Sequence, residues 1–332
     1  MKLGHVAIDG TKIKANASKH KAMSYERMNE TEQRLRQEVE ELLRSAAAVD
    51  EAEDAQYGKG RRGDELPAEL ARRESRLKKI RAAKAELEQE AKEKAERQRA
   101  EAEARLAQRR EQEARTGKKA GGHDPKVPDP EQAKPEPKAQ RNFTDPDSRI
   151  MPDGANKGSF IQAYNAQAAV DGEAQVIVAA EVTQETNDSH QLVPMIEQVK
   201  ANAGRKPEAV SADAGYWSAD NVTGEGAAGI DLHIATGRQK HGEASAVASG
   251  PPPEEASVQQ AMEHKLRTEA GRAIYKMRKA IVEPVFGQIK ERRGFRRFSF
   301  RGVGSVRLEW QLICLTGNIL KLFRSGWTPQ TA

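Results

Sequence analysis

Three acidic residues sit where the local pattern leaves them in a position to do chemistry. Asp9 closes an apolar alternation in which Val6 and Ile8 face opposite to Ala7 and Asp9, and Gly10-Thr11 follows it. Asp213 repeats the arrangement: Val210 and Ala212 lead into it, and Ala214-Gly215-Tyr216 follows. Taken singly, each reads first as a turn or capping aspartate, because Asp-Gly pairs often begin turns. As a pair at the ends of two sheet strands they suggest more, since strand ends of α/β sheets adjoin the crevice where ligands bind. Glu283 lies within YKMRKAIVEPVFGQIKERRGFRRF, Tyr275 to Phe298. On a helix, Lys279 four residues before it and Lys290 seven after it share its face. Alone, that face reads as ordinary solvated ion pairing. Pro284 either kinks the helix or starts it with Glu283 as the capping residue.

The surrounding charge is uneven. From Lys265 to Arg307 there are 13 Lys or Arg and 3 acids, in a chain whose overall balance is 55 against 50, net +5. Phe295, Phe298 and Phe300 interleave with that run. A basic stripe beside the third acid is what tracking of a phosphate backbone needs. For any single arginine a solvated basic surface explains the charge equally well. The seven histidines (His5, His20, His123, His190, His233, His241, His264) show no metal-ligand spacing and read as structural or surface residues. Gly58-Lys59-Gly60 lies between helices without a flanking strand, which argues against a phosphate-cradling loop.

Asp-Gly-Thr on a first strand, Ala-Asp-Ala-Gly-Tyr after a later one, and Val-Glu-Pro-Val-Phe-Gly-Gln-Ile-Lys on a late helix together resemble DDE transposases of bacterial insertion sequences. The resemblance covers residues 1–17 and 142–325. The third block is also similar to that group's Tyr-Arg-Glu-Lys signature through Tyr275, Glu283 and Lys290. The usual arginine lies four residues before the glutamate, where this chain has Lys279, and Arg278 stands one place early.

The resemblance implies a ribonuclease-H-like α/β fold whose acids Asp9, Asp213 and Glu283 hold two Mg2+ ions, with Mn2+ as a substitute. Asp9 bridges the pair, and Asp213 and Glu283 each hold one side. Two such ions, roughly 3.5–4 Å apart, activate the attacking oxygen and neutralise a crowded phosphate. Magnesium prefers oxygen ligands and keeps several waters, so carboxylates without Cys or His suffice. DNA is the implied partner, contacted by Tyr275, Arg278, Lys279, Lys290, Arg292, Arg293, Arg296 and Arg297. The implied reaction is strand cleavage and strand transfer at insertion-sequence ends, by a homodimer assembled on DNA. Members of that group usually carry a helical DNA-binding domain before the first catalytic strand, whereas here Asp9 comes almost at once. That motivates a second expectation, a truncated non-catalytic DNA-binding remnant or regulator. A third makes the helices of 18–115 a coiled-coil scaffold.

The elements that position these residues follow from periodicity. Residues 1–17 read as a strand. Residues 18–115 are rich in Ala, Glu, Lys and Arg, with Leu35, Val39, Leu42, Ala46 and Val49 on one helical seam. A Gly/Pro-containing break from Tyr57 to Pro67 precedes a second helix carrying Leu66, Leu70, Leu77, Ile80 and Leu87. The expected object is a helical hairpin inserted after the first strand. Its second helix, nearly free of large apolar residues beyond Ala91, projects into solvent or binds something charged. Residues 116–141 read as a flexible Pro/Gly-rich linker. The globular pattern then resumes at Asn142. Phe160–Val170 and Gln175–Val182 read as a hairpin turning at Asp171-Gly172. Asp188-Ser189 is expected to cap a helix through Leu192, Ile196 and Val199. Ala209–Gly215 and Asp231–Thr236 read as strands, and Ser218 as the cap of a brief helix. Leu308, Leu312, Leu315, Ile319 and Leu322 read as a core face, with a tail at 326–332. This order gives a mixed sheet with flanking helices.

At 332 residues the chain has room for one large domain or two ordinary ones. A single cysteine, Cys314, excludes an internal disulfide framework and a thiolate zinc site, and fits a reducing cytoplasm. No signal peptide or membrane-spanning run is apparent. The expectation is a soluble, cytoplasmic, nucleoid-associated bacterial protein.

Overall fold

A computed structural model describes residues 3–57, 68–117, 123–156, 158–237 and 246–326. These fall into two compact units, residues 1–19 with 147–332 and residues 20–146. The expected break beyond Tyr57 (58–67, with the Gly58-Lys59-Gly60 run), part of the expected linker and most of the tail lie outside the described residues, as do the side chains of Ala46 and Val49.

The first unit begins with β1 (His5–Lys14). The second holds β2 (Ala22–Ser24), α1 (Tyr25–Tyr57), α2 (Ala68–Thr116) and β3 (Gln140–Asn142). The first resumes with β4 (Arg149–Pro152), β5 (Phe160–Asp171), β6 (Ile177–Thr183), α3 (Leu192–Ala203), β7 (Ala209–Ala212), α4 (Ala219–Thr223) and β8 (Asp231–Ile234). It ends with α5 (Val258–Arg267), α6 (Glu269–Gly287), a π-helical turn at Gln288–Arg292, and α7 (Val303–Arg324).

Among the described residues six strands form one sheet in the order β4-β5-β1-β7-β8, with β6 also on β5. The twelve-residue β5 is long enough to pair with β4 through residues 160–163 and with β6 through 165–170. β1 runs antiparallel to β5 and parallel to β7, and β7 is parallel to β8, so the sheet is mixed. Alternation along β1 sends Val6 and Ile8 to one core, with α3 residues Leu192 and Ile196, and Ala7 to the other, with Val282 and Val285 of α6 and Trp310 of α7. A strand covered on both faces must be apolar on both, which explains its short unbroken run. The mixed sheet with helices on both faces is compatible with a ribonuclease-H-like fold.

Three local expectations are corrected. The hairpin does not turn on Asp171-Gly172 alone. Gly172 lacks the positive φ that a tight two-residue turn requires, its N–H donates to the His5 carbonyl, and the link extends to Val176 with Gln175 at φ +52°. Asp188 does not cap α3, whose first residue follows Gln191 without a side-chain cap. The supposed core stripe of α7 is exposed, from 46 % at Leu322 to 68 % at Leu308, while Val306, Trp310 and Cys314 are its buried residues. The repeat that marks a helix does not say which side the sheet takes. Here the larger indole of Trp310, with Val306 and Cys314 on the side of α7 opposite the leucine stripe, fills the space beside β5.

In the second unit Met28, Leu35, Leu77, Ile80, Ala83 and Leu87 share a core between α1 and α2. Glu38 bonds Arg73 at 2.8 Å, and Glu32, 7 % exposed at its side chain, takes Arg81 at 3.1 Å and Lys84 at 3.2 Å. Partners later on α1 meet residues earlier on α2, which is antiparallel pairing. Val39 and Leu42 are only half-buried. The Pro/Gly-rich stretch is not free along its whole length: Pro130 is buried, Lys92 of α2 bonds Glu131 at 2.5 Å, and the expected boundary at 141/142 falls inside β3, which pairs with β2.

Candidate active site

Strand register brings the two aspartates level. β1 and β7 pair in parallel at His5/Ala209, Val6/Val210 and Ala7/Ser211. Continuing that register two residues sets Asp9 beside Asp213, both on the sheet face that α6 covers. Asp9 stays in β1 opposite Ala168 of β5, whereas β7 ends at Ala212 and releases Asp213 into a tight turn.

The capping roles expected of isolated turn aspartates are both present. Asp9 Oδ1 accepts the Gly10 N–H at 2.8 Å, and Asp213 Oδ1 accepts the Gly215 N–H at 2.8 Å. What a turn aspartate does not need is the rest of the setting. Burial pushes the Asp9 carboxyl up to about 6, and the neighbouring Asp213 and Asp188 carboxylates push the same way. Against them work the Arg278 guanidinium, whose Nη1 donates to Asp9 Oδ2 at 3.0 Å, and the Gly10 N–H. Desolvation outweighs the ion pair. Arg278 is 8 % exposed, lies over the Tyr275 ring at 5.8 Å, and its buried Nε has no hydrogen-bond partner.

A third carboxylate, Asp188, arrives from the loop before α3. Its Oδ1 accepts Asn165 Nδ2 at 2.6 Å and Gln167 Nε2 at 2.7 Å, and Lys12 Nζ approaches to 3.7 Å. Gln167 Oε1 in turn accepts the Tyr216 hydroxyl, whose own ionisation burial raises strongly. These groups close over Gly10. A Cβ there would fall 2.4 Å from Gln167 Nε2 and 2.7 Å from Asp188 Oδ1, so the position admits only glycine without displacement of the network. Sequence reasoning assigned Asp188 to a helix cap and passed over Lys12, Asn165 and Gln167. The signal was there: Asn165 and Gln167 are two polar residues at i and i+2 in a buried strand, and buried amides demand partners.

Glu283 is not gathered to these acids. It is exposed on α6, as is Lys279. Among the described residues no three His, Cys, Asp or Glu side chains form a metal-holding group. Pro284 neither starts nor ends the helix; α6 runs through it. Lys290 departs from the shared face with Glu283 and Lys279, because the π-helical turn carries an extra residue and rotates the residues after it. Half-buried, it donates to the Thr11 hydroxyl, and desolvation lowers its ammonium's pKa.

The basic run is largely at the surface. Arg292 and Arg297 are exposed, Arg296 pairs with Glu291, and Arg293 bonds the Ile313 carbonyl at 2.8 Å and the Thr316 hydroxyl at 2.6 Å. Its aromatics are not free to stack on bases as a set. Phe298 is 1 % exposed against Tyr164, and Phe295 stacks on Trp310, which leaves Phe300 exposed.

Residues 245–323 match the family model described as "Transposase DDE domain". That span, about a quarter of the chain, carries Arg278, Glu283 and Lys290 but neither Asp9 nor Asp213. The match supports a DDE transposase. No curated protein and no solved structure matches the chain. No helix among the described residues is long and apolar enough to cross a membrane.

Proposed function

We propose that this chain is a transposase of the DDE type, which cleaves and joins DNA strands at the ends of a bacterial insertion sequence with divalent metal ions held by Asp9 and Asp213. Glu283 is assigned as the third ligand on its motif alone, since the fold leaves it exposed on α6 and not gathered with them. The observation that carries the reading is the pair of Asp9, within β1, and Asp213, just past the end of the adjacent parallel β7. There Asp9 is buried enough that its carboxyl titrates at about 6.

The residues fit a hard divalent cation. The donors are carboxylate oxygens with no thiolate or imidazole among them, as magnesium requires. Negative charge is gathered where burial makes it costly, and cationic groups already stand against two of the three neighbouring carboxylates, Arg278 on Asp9 and Lys12 on Asp188. When bound, a pair of such ions supplies an activated oxygen nucleophile and charge neutralisation at the phosphate. The chain's own residues do the rest. Asp213 turns one oxygen to the Gly215 N–H and offers the other, whereas Asp9 turns one oxygen to the Gly10 N–H and gives the other to Arg278, which a metal ion would have to displace. Lys290, held at Thr11 on the same strand as Asp9, supplies positive charge for a phosphate near that carboxylate. Exposed Arg292, Arg296 and Arg297 supply salt-dependent backbone contacts.

One observation favours a second reading, a DNA-binding regulator without catalysis: Arg278 already neutralises Asp9. The deciding experiment incubates the full chain with a plasmid carrying the ends that flank its own coding region, with and without Mg2+ or Mn2+. Nicking that needs the ion, and that Asp9→Asn, Asp213→Asn and Glu283→Gln each abolish while DNA binding at fixed salt persists, supports the transposase. Binding with no cleavage under any divalent ion supports the regulator. Full activity of Glu283→Gln removes that residue from the ligand set.

A further inference from the structure

α7 buries one side against the sheet and leaves an apolar stripe on the other. Leu308, Leu312, Leu315, Ile319 and Leu322 are all exposed, and Phe323 at the stripe's end is 82 % exposed. Isolated exposed leucines are common, but a continuous row of them marks an interaction surface. The spacing identifies the partner's geometry. The five positions step by four, three, four and three residues, the seam by which one helix packs along another with a 3.5-residue period. Trp310, Cys314 and Val306 hold the opposite side of α7 in the core, so the helix is already formed and oriented before anything meets the stripe.

We infer that this stripe is a docking surface for α7 of a second copy of the chain, in a two-fold interface centred on Leu315. Charge selects against the other macromolecule this chain is built to meet. Positions flanking the seam are Glu309, Gln311, Thr316 and Asn318, and Glu309 is spent on the backbone N–H groups of Ser299 and Phe300. Arg307 is paired with Glu181, and Lys321 donates to the Gln175 carbonyl. Arg293 stands at this border, bonded to the Ile313 carbonyl and the Thr316 hydroxyl, but a single guanidinium repels a second copy of the apolar seam little and offers a polyanion no row of cations. Area agrees. Six large side chains at about 100 Å2 each give roughly 600 Å2 per copy. That is roughly 1,200 Å2 in all, the lower edge of what a stable interface buries. A self-complementary patch of this kind closes as a two-fold dimer. The inference does not depend on the reaction proposed above.

The test uses the full chain without DNA. Mass measured by light scattering across a concentration series gives a dimer at high micromolar concentration. Leu315→Glu, at a position 53 % exposed in the single chain, raises the dissociation constant by roughly 100-fold. It leaves the far-ultraviolet circular dichroism of the folded chain unchanged. Because Leu315 lies at the centre of the stripe, Leu315→Cys forms a covalent dimer under diamide in either helix orientation. Leu308→Cys does so only if the helices are parallel. The parent chain, whose Cys314 thiol is buried and pushed up to about 12, forms none. A chain that stays monomeric throughout the series overturns the inference. So does a dimer indifferent to Leu315→Glu that Leu315→Cys does not trap.

Discussion

Replacing Asp9 by Asn tests the electrostatics of the site without any DNA. The Asp9 carboxyl is raised from 3.8 to about 6 in the folded chain. Its protonated form is therefore favoured by folding, and the stability this gives is fully present below about pH 4. That stability is lost as the pH rises through about 6. A pKa difference of about two between the unfolded and folded chain corresponds to about 3 kcal/mol. The Asp9 side chain is 19 % exposed, so solvent screens little of that difference. Asn has similar volume and no titration. The stability of the parent minus that of Asp9→Asn should accordingly fall by about 2 kcal/mol between pH 4 and pH 7, most of that difference, whatever its absolute offset. Carboxylates remote from Asp9 titrate alike in both chains, and their contributions cancel in the difference.

The assay is urea unfolding in metal-free buffer at half-unit pH steps, followed by tryptophan emission. Residues 20–146 contain no tryptophan, and all three tryptophans, Trp217, Trp310 and Trp327, fall within residues 147–332 of the other unit, so the signal reports the unit that holds Asp9. A parallel series in millimolar Mg2+ should move the inflection below 6, because a bound cation favours the carboxylate. A difference curve flat with pH, or rising, would refute the claim that burial outweighs Arg278 at this carboxylate.

Arg278→Met, which keeps much of the side-chain bulk, removes the largest interaction that lowers the Asp9 pKa, so the inflection should move above 6 in the same assay. Gly10→Ala must push Gln167 and Asp188 apart. It should cost about 1–3 kcal/mol, read as a lowered urea midpoint in the tryptophan signal. Asp188→Asn deprives Lys12 and the Asn165 and Gln167 amides of their shared acceptor charge while lifting one of the carboxylates that raises Asp9. The Asp9 inflection should fall below 6 even as the urea midpoint drops at pH 7.

Much of the sheet was legible because its strands carry their own signal. Val6-Ala7-Ile8 and Val210-Ser211-Ala212 are short apolar runs bounded by Asp and Gly, and both form central strands. The pairing of Asp9 with Asp213 follows from them once the two strands are neighbours in parallel, a fact of topology that no local pattern contains. Direction failed to show. A helical repeat fixes which residues share a side but not which side meets the sheet. The leucines of α7 therefore read as core, although Trp310 takes that place. On α6 the same ambiguity hid the more consequential arrangement. Glu283, Lys279 and Lys290 share a face on a regular helix, and the π-helical turn at 288–292 breaks that geometry and sends Lys290 to Thr11. Arg278, one place away from the expected arginine position, lies on the buried side with Ile281, Val282 and Val285, and that offset puts a guanidinium on Asp9. A metal ion that binds Asp9 must compete with this guanidinium. The competition is worth more to the ion as the pH rises past 6, where Asp9 is ionised and the cost of burying its charge with a single cation is largest.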